Sequence, residues 1–386
     1  MATDLRRTIE QLTSFERPSA SDGERRAAQW IANELRELGV EAEVEEERAH
    51  GTYWWPIGIF TALAALAGLL GRRLLGTLAG AFAALGVWDE CGLWRGHWTR
   101  GLLPKRPTWN VVGRAGDPDA GRTVCIVAHH DAAHGGLIFD FSAVRWYADR
   151  FPERLERGRV WPGTMKLVFA GPVLVALGSL LGLRRVRGAG TFISAGSAAF
   201  MADIARHGVV PGANDNLSAV AAMLAVAERL RDEPVAGLRV LFVSTGSEES
   251  FEEGMAAFLD RHEHELPRDR TDVLVLDTVG SPRLILLEGE GMIVRRPYDA
   301  ALKDAIAAAA RDAGVPILRE HWLSFGSDAL LALRRGYRTA LIASFDRHKL
   351  PSNYHQPSDT AENVDYATVQ AAATVTEATV RRLVRT

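Results

Sequence analysis

Cysteine is nearly missing from this chain: its 386 residues include two, Cys91 and Cys125. Two thiols cannot build a disulfide framework of the kind that staples small secreted domains. Neither belongs to a CxxC pair, which argues against thiolate zinc binding. Cys125 lies in an apolar run and reads as a small buried hydrophobe. A charge excess is missing too. Lys and Arg number 45 against 48 Asp and Glu, for a formal net charge of −3. The arginines are scattered among glutamates, and no nucleic-acid partner is expected. The first twenty residues, MATDLRRTIEQLTSFERPSA, lack the apolar stretch of a signal peptide, so classical secretion is not expected. There is no internal repeat and no low-complexity tail.

Apolar residues are plentiful, at 47%. The length suits one large catalytic domain of about 250 to 300 residues with additions. Residues 4–16 and 22–38 read as helices. In the second, Ala27, Trp30, Ile31, Leu35 and Leu38 recur at helical spacing, and Ser21 with Glu24 resembles a helix start. After Gly39, residues 40–47 read as an edge strand with one wet face. Branched apolar runs predict strands at 108–114, 123–129, 238–244, 271–277 and 337–344. Helical patterns fall at 217–231, 253–264, 298–313, 326–335 and 363–384. The alternation predicts an α/β fold, a central sheet flanked by helices on both faces. Residues 148–163 read as an exposed linker.

Two apolar regions interrupt this pattern. The first has charge-free runs at 54–70 and 74–88, separated by Gly71, Arg72 and Arg73. The second runs over 167–183, is closed by Arg184, Arg185 and Arg187, and is followed by a weaker run at 191–200. These are expected to form two helical hairpins inserted into one domain spanning 1–386, with insertions at 53–107 and 132–210. Each hairpin would return the chain to its starting side. A full membrane span wants about 20 apolar residues, and these runs are somewhat short. Bilayer contact through 54–88 and 167–200 is the favoured reading. The alternative is a packed helical subdomain or a dimer surface in a soluble cytoplasmic protein. Arginine marks both hairpin tips, but Arg95, Arg100, Lys105 and Arg106 mark the base of the first. Sidedness therefore does not follow from charge, and neither does the oligomeric state.

Five residues scattered over the chain have the chemistry of metal ligands. His129 ends an apolar strand, with Asp131 two residues on to hold its second ring nitrogen. His130 faces the other way if the strand continues, and His134 is a weaker alternative. Asp215 opens a long amphipathic helix. A carboxylate there bridges two metals or caps the helix, though Asn216 or Ser218 could cap as well. Glu248 and Glu249 follow a strand. Adjacent carboxylates in a loop face different ways, so one can ligate while the other accepts a proton from attacking water. The alternative is helix-dipole stabilisation, the only role expected of Glu252 and Glu253. Asp277 ends a strand, where an unpaired charge is expensive. His355 lies in a polar loop before the last helix, with Asp359 nearby in a supporting role.

Taken together and in this order, these residues resemble the M28 family of zinc peptidases, the aminopeptidase type with a double-zinc site. The resemblance covers about 20–48, 108–135 and 211–384 and is absent from the apolar insertions. His129 and Asp131 match the family's His-x-Asp motif. Gly212, Ala213, Asp215 and Asn216 match its bridging-aspartate turn. Glu248 and Glu249 match its base-then-ligand pair, and Asp277 with Gly280 its strand-terminal aspartate. Tyr354, His355, Pro357, Asp359 and Thr360 match its closing histidine loop. Asn214 departs mildly, standing where the family frequently has another aspartate. The connection from Asp131 to Asp215 departs more, since it is usually short.

The resemblance implies a zinc-aminopeptidase-like mixed sheet and two Zn²⁺ per chain. Asp215 is shared, His129 pairs with Asp277, and Glu249 pairs with His355. Glu248 is the implied base and Asp131 the carboxylate that orients His129. The implied reaction is hydrolysis of an N-terminal peptide bond, with a peptide bearing a free amine as substrate. Another amidohydrolase or a carboxypeptidase-like activity on the same scaffold is the first alternative. A glutaminyl cyclase relative would need one zinc. A membrane receptor with a relict peptidase domain is the second alternative, and such a domain should have lost ligands or Glu248.

Overall fold

A computed structural model of the chain describes residues 3–92, 98–101, 103–157 and 163–384. The chain opens with helices α1 (Leu5–Thr13) and α2 (Asp22–Glu37) and strand β1 (Glu41–Ala49). Helices α3 (Trp54–Leu70) and α4 (Arg73–Gly92) follow, then strands β2 (Arg106–Gly116) and β3 (Thr123–His129). Next come four helices, α5 (Ser142–Arg150), α6 (Pro152–Arg157), α7 (Thr164–Leu180) and α8 (Arg184–Ile204). The remainder alternates: α9 (Ser218–Asp232), β4 (Arg239–Thr245), α10 (Glu253–His262), β5 (Thr271–Leu276), β6 (Arg283–Glu290) and β7 (Arg296–Pro297). It closes with α11 (Ala300–Asp312), β8 (Leu318–Trp322), α12 (Asp328–Arg334), β9 (Arg338–Phe345) and α13 (Tyr366–Leu383).

The nine strands form one mixed sheet in the order β1-β2-β4-β3-β5-β9-β6-β7, with β8 beside β6. Its centre, β4-β3-β5-β9, is parallel. Every residue of β3 is buried, as a strand covered on both faces requires. Val124, Ile126 and Ala128 point into the core built with α1, α2, α9, α11 and α13. Cys125 and Val127 point into the opposite core, with α10 and α12. The two faces follow from the period of two along a strand. Both cysteines are buried and unpaired.

Helix α2 starts where its sequence signals it. Ser21 Oγ accepts the Glu24 N–H at 3.2 Å, and Gly39 ends the helix at φ +78°. β1 stands at one end of the strand order beside β2 and mixes buried Ala42, Glu45 and Ala49 with exposed residues, as expected of an edge strand. Strands β6, β7 and β8 were not anticipated. Their runs are interrupted by Gly289, Gly291 and Pro297, which disguise the period of two.

Helices α3, α4, α7 and α8 pack together as a four-helix bundle. The α3–α4 and α7–α8 turns lie side by side at its far end, where Arg187 donates to the Gly71 carbonyl at 3.0 Å and Arg73 to that of Leu180 at 2.7 Å. Arg184, Arg185 and Arg187 therefore begin α8; the weaker run at 191–200 is the middle of that helix. Two other expectations are corrected. Residues 148–157 are not linker but the end of α5 and all of α6, with Ala148 buried; residues 158–162 lie outside the described residues. At the base of the first hairpin, Arg100 is no free surface cation. It is fully buried, 2.7 Å from Glu90 and 3.1 Å from Glu253. Arg95 lies outside the described residues.

Candidate metal centre

The parallel pairing of β4, β3 and β5 brings three loops to one edge of the sheet. His129 pairs in register with Thr245, and Val127 with Val275. His129 ends β3, Asp277 follows β5, and Glu248 and Glu249 sit just beyond β4. Carboxyl ends of parallel strands are where open α/β sheets gather ligands.

Asp215 arrives from the turn before α9. Gly212 opens that turn at φ +63°, and a Cβ there would lie 2.6 Å from Arg17 Nη2 and from the Asp215 carbonyl, so glycine is required. The Asp359 carboxylate accepts the Asn214 and Asp215 N–H groups at 2.7 and 3.1 Å. Asp215 does not cap α9. Asn216 does not either: its amide bridges the Leu276 carbonyl and the Thr278 N–H. It thereby ties the Asp215 turn to the strand end that carries Asp277. Asn214 does the same one turn on, accepting from Gly280 N at 2.7 Å.

The two Asp215 oxygens face different imidazoles. Oδ1 lies 3.3 Å from His129 Nε2, and Oδ2 lies 3.2 Å from His355 Nε2. His355 Nε2 is also 3.3 Å from Glu249, and His129 Nε2 is 3.7 Å from Glu248. The ligand-type atoms fall into two groups sharing His129: one with Asp215 and Glu249, the other with Glu248 and Asp277. Asp131 sits behind, 3.4 Å from His129 Nδ1. Its oxygens also accept the Glu248 and Glu249 N–H groups at 3.1 Å each and the Ser19 hydroxyl at 2.6 Å. One carboxylate thus sets both the His129 ring and the glutamate loop.

The donor set fits divalent cations. Glu249 Oε1 is buried without a hydrogen-bond partner, a costly state that coordination relieves. Crowded carboxylates point the same way. Burial and then the Asp215 charge push Asp277 up to about 8. Burial opposes charge on His355, but Glu249 and Asp215 outweigh it and raise the imidazole to about 10. Bound dications would offset this negative charge and leave the imidazoles neutral, as ligands must be.

Beside these residues lies a cavity of about 330 Å³. Tyr354 stacks on the His355 ring at 3.9 Å between centroids, and Phe139 meets it edge-on at 4.4 Å. Tyr53, at the foot of α3, stacks on Phe251 at 4.6 Å. Both apolar insertions therefore reach the site.

His130 is buried away from it with Nδ1 2.9 Å from Ser244 Oγ, and His134 Nδ1 lies 2.9 Å from the His207 carbonyl. Glu252 and Glu253 do more than bias a helix dipole. Glu252 is buried and lines the cavity. Glu253 accepts the His50 and Gly51 N–H groups and pairs with Arg100. Three supporting residues had no sequence signal for the roles they play at the site. Arg17, fully buried, donates to the carbonyls of His130, Pro211 and Gly212 at 2.9, 2.6 and 2.7 Å. Ser19 holds Asp131. Glu24, read only as a helix-start residue, accepts the Ser247 N–H at 2.5 Å and braces the glutamate loop.

Comparison with known proteins agrees with this construction. The sequence model described as Peptidase family M28 matches residues 198–380. No curated protein sequence matches the chain. Among solved structures, a leucine aminopeptidase precursor from Bacteroides thetaiotaomicron is similar at TM-score 0.57 and 14% identity, over 99% of this chain and 98% of that one. A zinc aminopeptidase from Bacillus subtilis has TM-score 0.55 and 15% identity, over 97% and 93%. A glutaminyl cyclase from Bacteroides thetaiotaomicron has TM-score 0.57 and 12% identity, over 99% and 98%. At these identities the likeness is one of fold, shared by hydrolases and a cyclase alike. The family likeness rests on the sequence match, with which the sheet and the assembled ligand set agree: residues 198–380 of this chain match peptidase family M28.

Proposed function

We propose that the protein is a zinc-dependent aminopeptidase with a two-metal site, held at a membrane by its helical bundle. The observation that carries the two-metal reading is Asp215, whose oxygens face separate histidines at 3.3 and 3.2 Å. His129 and Asp277 would hold one zinc, Glu249 and His355 the other, and Asp215 both. Bound there, the ions supply Lewis-acid polarisation of the scissile carbonyl and lower the pKa of water. Glu248 accepts the proton of the attacking water and returns it to the leaving amine. Asp131 fixes the His129 ring and the Glu248 backbone. A glutaminyl cyclase-like site with one zinc would have no use for the second grouping, His129 with Glu248 and Asp277.

The bundle supports the membrane part of the reading because its packing is inverted. Leu66, Leu69, Leu74, Leu78 and Phe192 point outward and are each more than half exposed. Ile57, Phe60, Val87 and Met201 form a modest core, but many of the helix crossings are made by small residues. A Cβ on Gly80 would lie 2.7 Å from the Ala176 backbone nitrogen, and one on Gly190 2.6 Å from that of Val175. Large apolar outside and small inside is how helices pack in lipid, where hydrophobicity gives no inward drive. Helices of 17 to 21 residues measure about 25 to 32 Å, near the thickness of a hydrocarbon core. Helix α4 alone, among the described residues, is long and apolar enough to cross by itself. Exposed arginines, Arg72, Arg73, Arg184 and Arg185, cap the far end, and exposed Trp55 and Trp98 stand at the near end, as interfaces favour.

The test is hydrolysis by the full chain in detergent of matched peptides with free and acetylated N-termini. Cleavage of the free-amine peptide alone is expected. Equal cleavage of both would replace aminopeptidase with a broader amidohydrolase.

A further inference from the structure

The metal-site cavity does not end at the sheet edge. Its wall continues along α7 and α8 through Leu167, Phe192, Gly196, Phe200, Met201 and Ile204. Ile204 is the last residue of α8 and lies at the metal end. Phe192 stands about 18 Å farther up that helix, at 1.5 Å per residue. Three of these lining residues also belong to the outer apolar belt: Leu167 is 58% exposed, Phe192 81% and Phe200 39%. The cavity rim and the outer face of the bundle are thus the same surface. Gly196 leaves open space in that wall, since a Cβ there meets nothing within 4 Å.

Resting on the reading above, we infer that the site opens sideways into the bilayer between α7 and α8 and takes a peptide whose N-terminal segment is apolar and lipid-embedded. The ligand is specified by what lines its path. One end offers carboxylates and imidazoles for the amine and the scissile amide. The other offers Leu, Phe and Met side chains, with no charged group among the six residues named. A peptide with polar side chains would bury those groups unpaired along that wall. Each methylene buried there is worth about fourfold in binding, so a long apolar segment outbids a soluble dipeptide. The bundle then delivers substrate as well as anchoring the protein.

The experiment compares two probes with the full chain reconstituted in phosphatidylcholine vesicles. One is the soluble dipeptide Leu-Gly; the other is an 18-residue apolar peptide beginning with the same two residues. At least a tenfold higher kcat/KM for the long peptide is expected. Gly196→Phe fills the open space and should cut that preference at least tenfold. Phe192→Ala, a trim at the exposed rim with little risk to folding, should cut it two- to fivefold. Size-exclusion elution of each variant checks that the bundle is intact. If the dipeptide is cleaved and the long peptide is no better, or if its advantage survives both variants unchanged, the lateral opening is wrong while the peptidase reading stands. If neither peptide is cleaved, both readings fall.

Discussion

The α/β sheet region and the helical bundle are built from opposite materials. In the sheet region Val, Ile, Leu and Phe fill the interior, as in β3 and β4, and charge covers the outside. In the bundle Gly, Ala, Ser and Thr line many of the helix contacts, Ile57, Phe60, Val87 and Met201 fill a smaller core, and Leu, Phe and Trp also face outward. On the membrane reading proposed above, one chain carries both because each region answers to its own solvent. Water drives large apolar groups inward; lipid does not, and close backbone approach decides packing instead. The metal centre lies where the two regions meet, with Arg100 tying the end of α4 to the Ser250 carbonyl and Glu253 beyond the glutamate loop.

If the comparison holds, the sheet region should fail when its interior is emptied and the bundle when its interior is filled. Ile126 is fully buried in β3, and Ile126→Ala should cost about 2 to 5 kcal/mol, read from denaturant unfolding of the sheet region. Leu85 is 62% exposed on α4; Leu85→Arg should cost about 2.5 to 3.5 kcal/mol if that face meets lipid, read as loss of vesicle-bound protein. The same change at Leu318, 43% exposed on the sheet region, should stay within about 0.5 kcal/mol. Equal tolerance at the two sites would erase the contrast. Gly80→Leu pushes a side chain into the Ala176 backbone and should cost about 1 to 3 kcal/mol through overpacking, seen as a lowered Tm in detergent.

The smallest effect belongs to the outer face of the sheet region. His262 has Nδ1 2.5 Å from Glu265 and Nε2 2.9 Å from Glu45. Burial opposes its charge, but the two carboxylates prevail and raise its pKa in the folded state. A raised histidine stabilises fully below its unfolded pKa near 6.5, and the contribution fades as pH rises through the folded value. The Tm gap between the parent and His262→Gln should therefore be widest in mild acid and close in alkali. A gap that widens with pH would reverse the assignment.

The sequence made the chemistry legible better than its support. Strand ends such as His129 and Asp277 are weak signals one by one, and it was their order along the chain, taken together, that pointed to the site. Parallel pairing of β4, β3 and β5 then made neighbours of residues far apart in sequence. Arg17 and Glu24 were illegible in their roles, since each acts through backbone groups more than a hundred positions away. Glu253 was misread for the same reason: its partner Arg100 sits in the first insertion. The inverted packing of the bundle was visible only in part. Apolar runs showed in the sequence, but which faces are small and which are large needs the helices in place.

The central claim is a paired-metal peptidase site with Glu248 as its base, and Glu248→Gln tests it most directly. Metal content and peptide hydrolysis are measured together on the full chain purified in detergent. The account predicts two zinc ions per chain in parent and variant alike, with turnover lowered about 10²- to 10⁴-fold in the variant. Parental turnover in the variant, or one zinc per active chain in the parent, would contradict it.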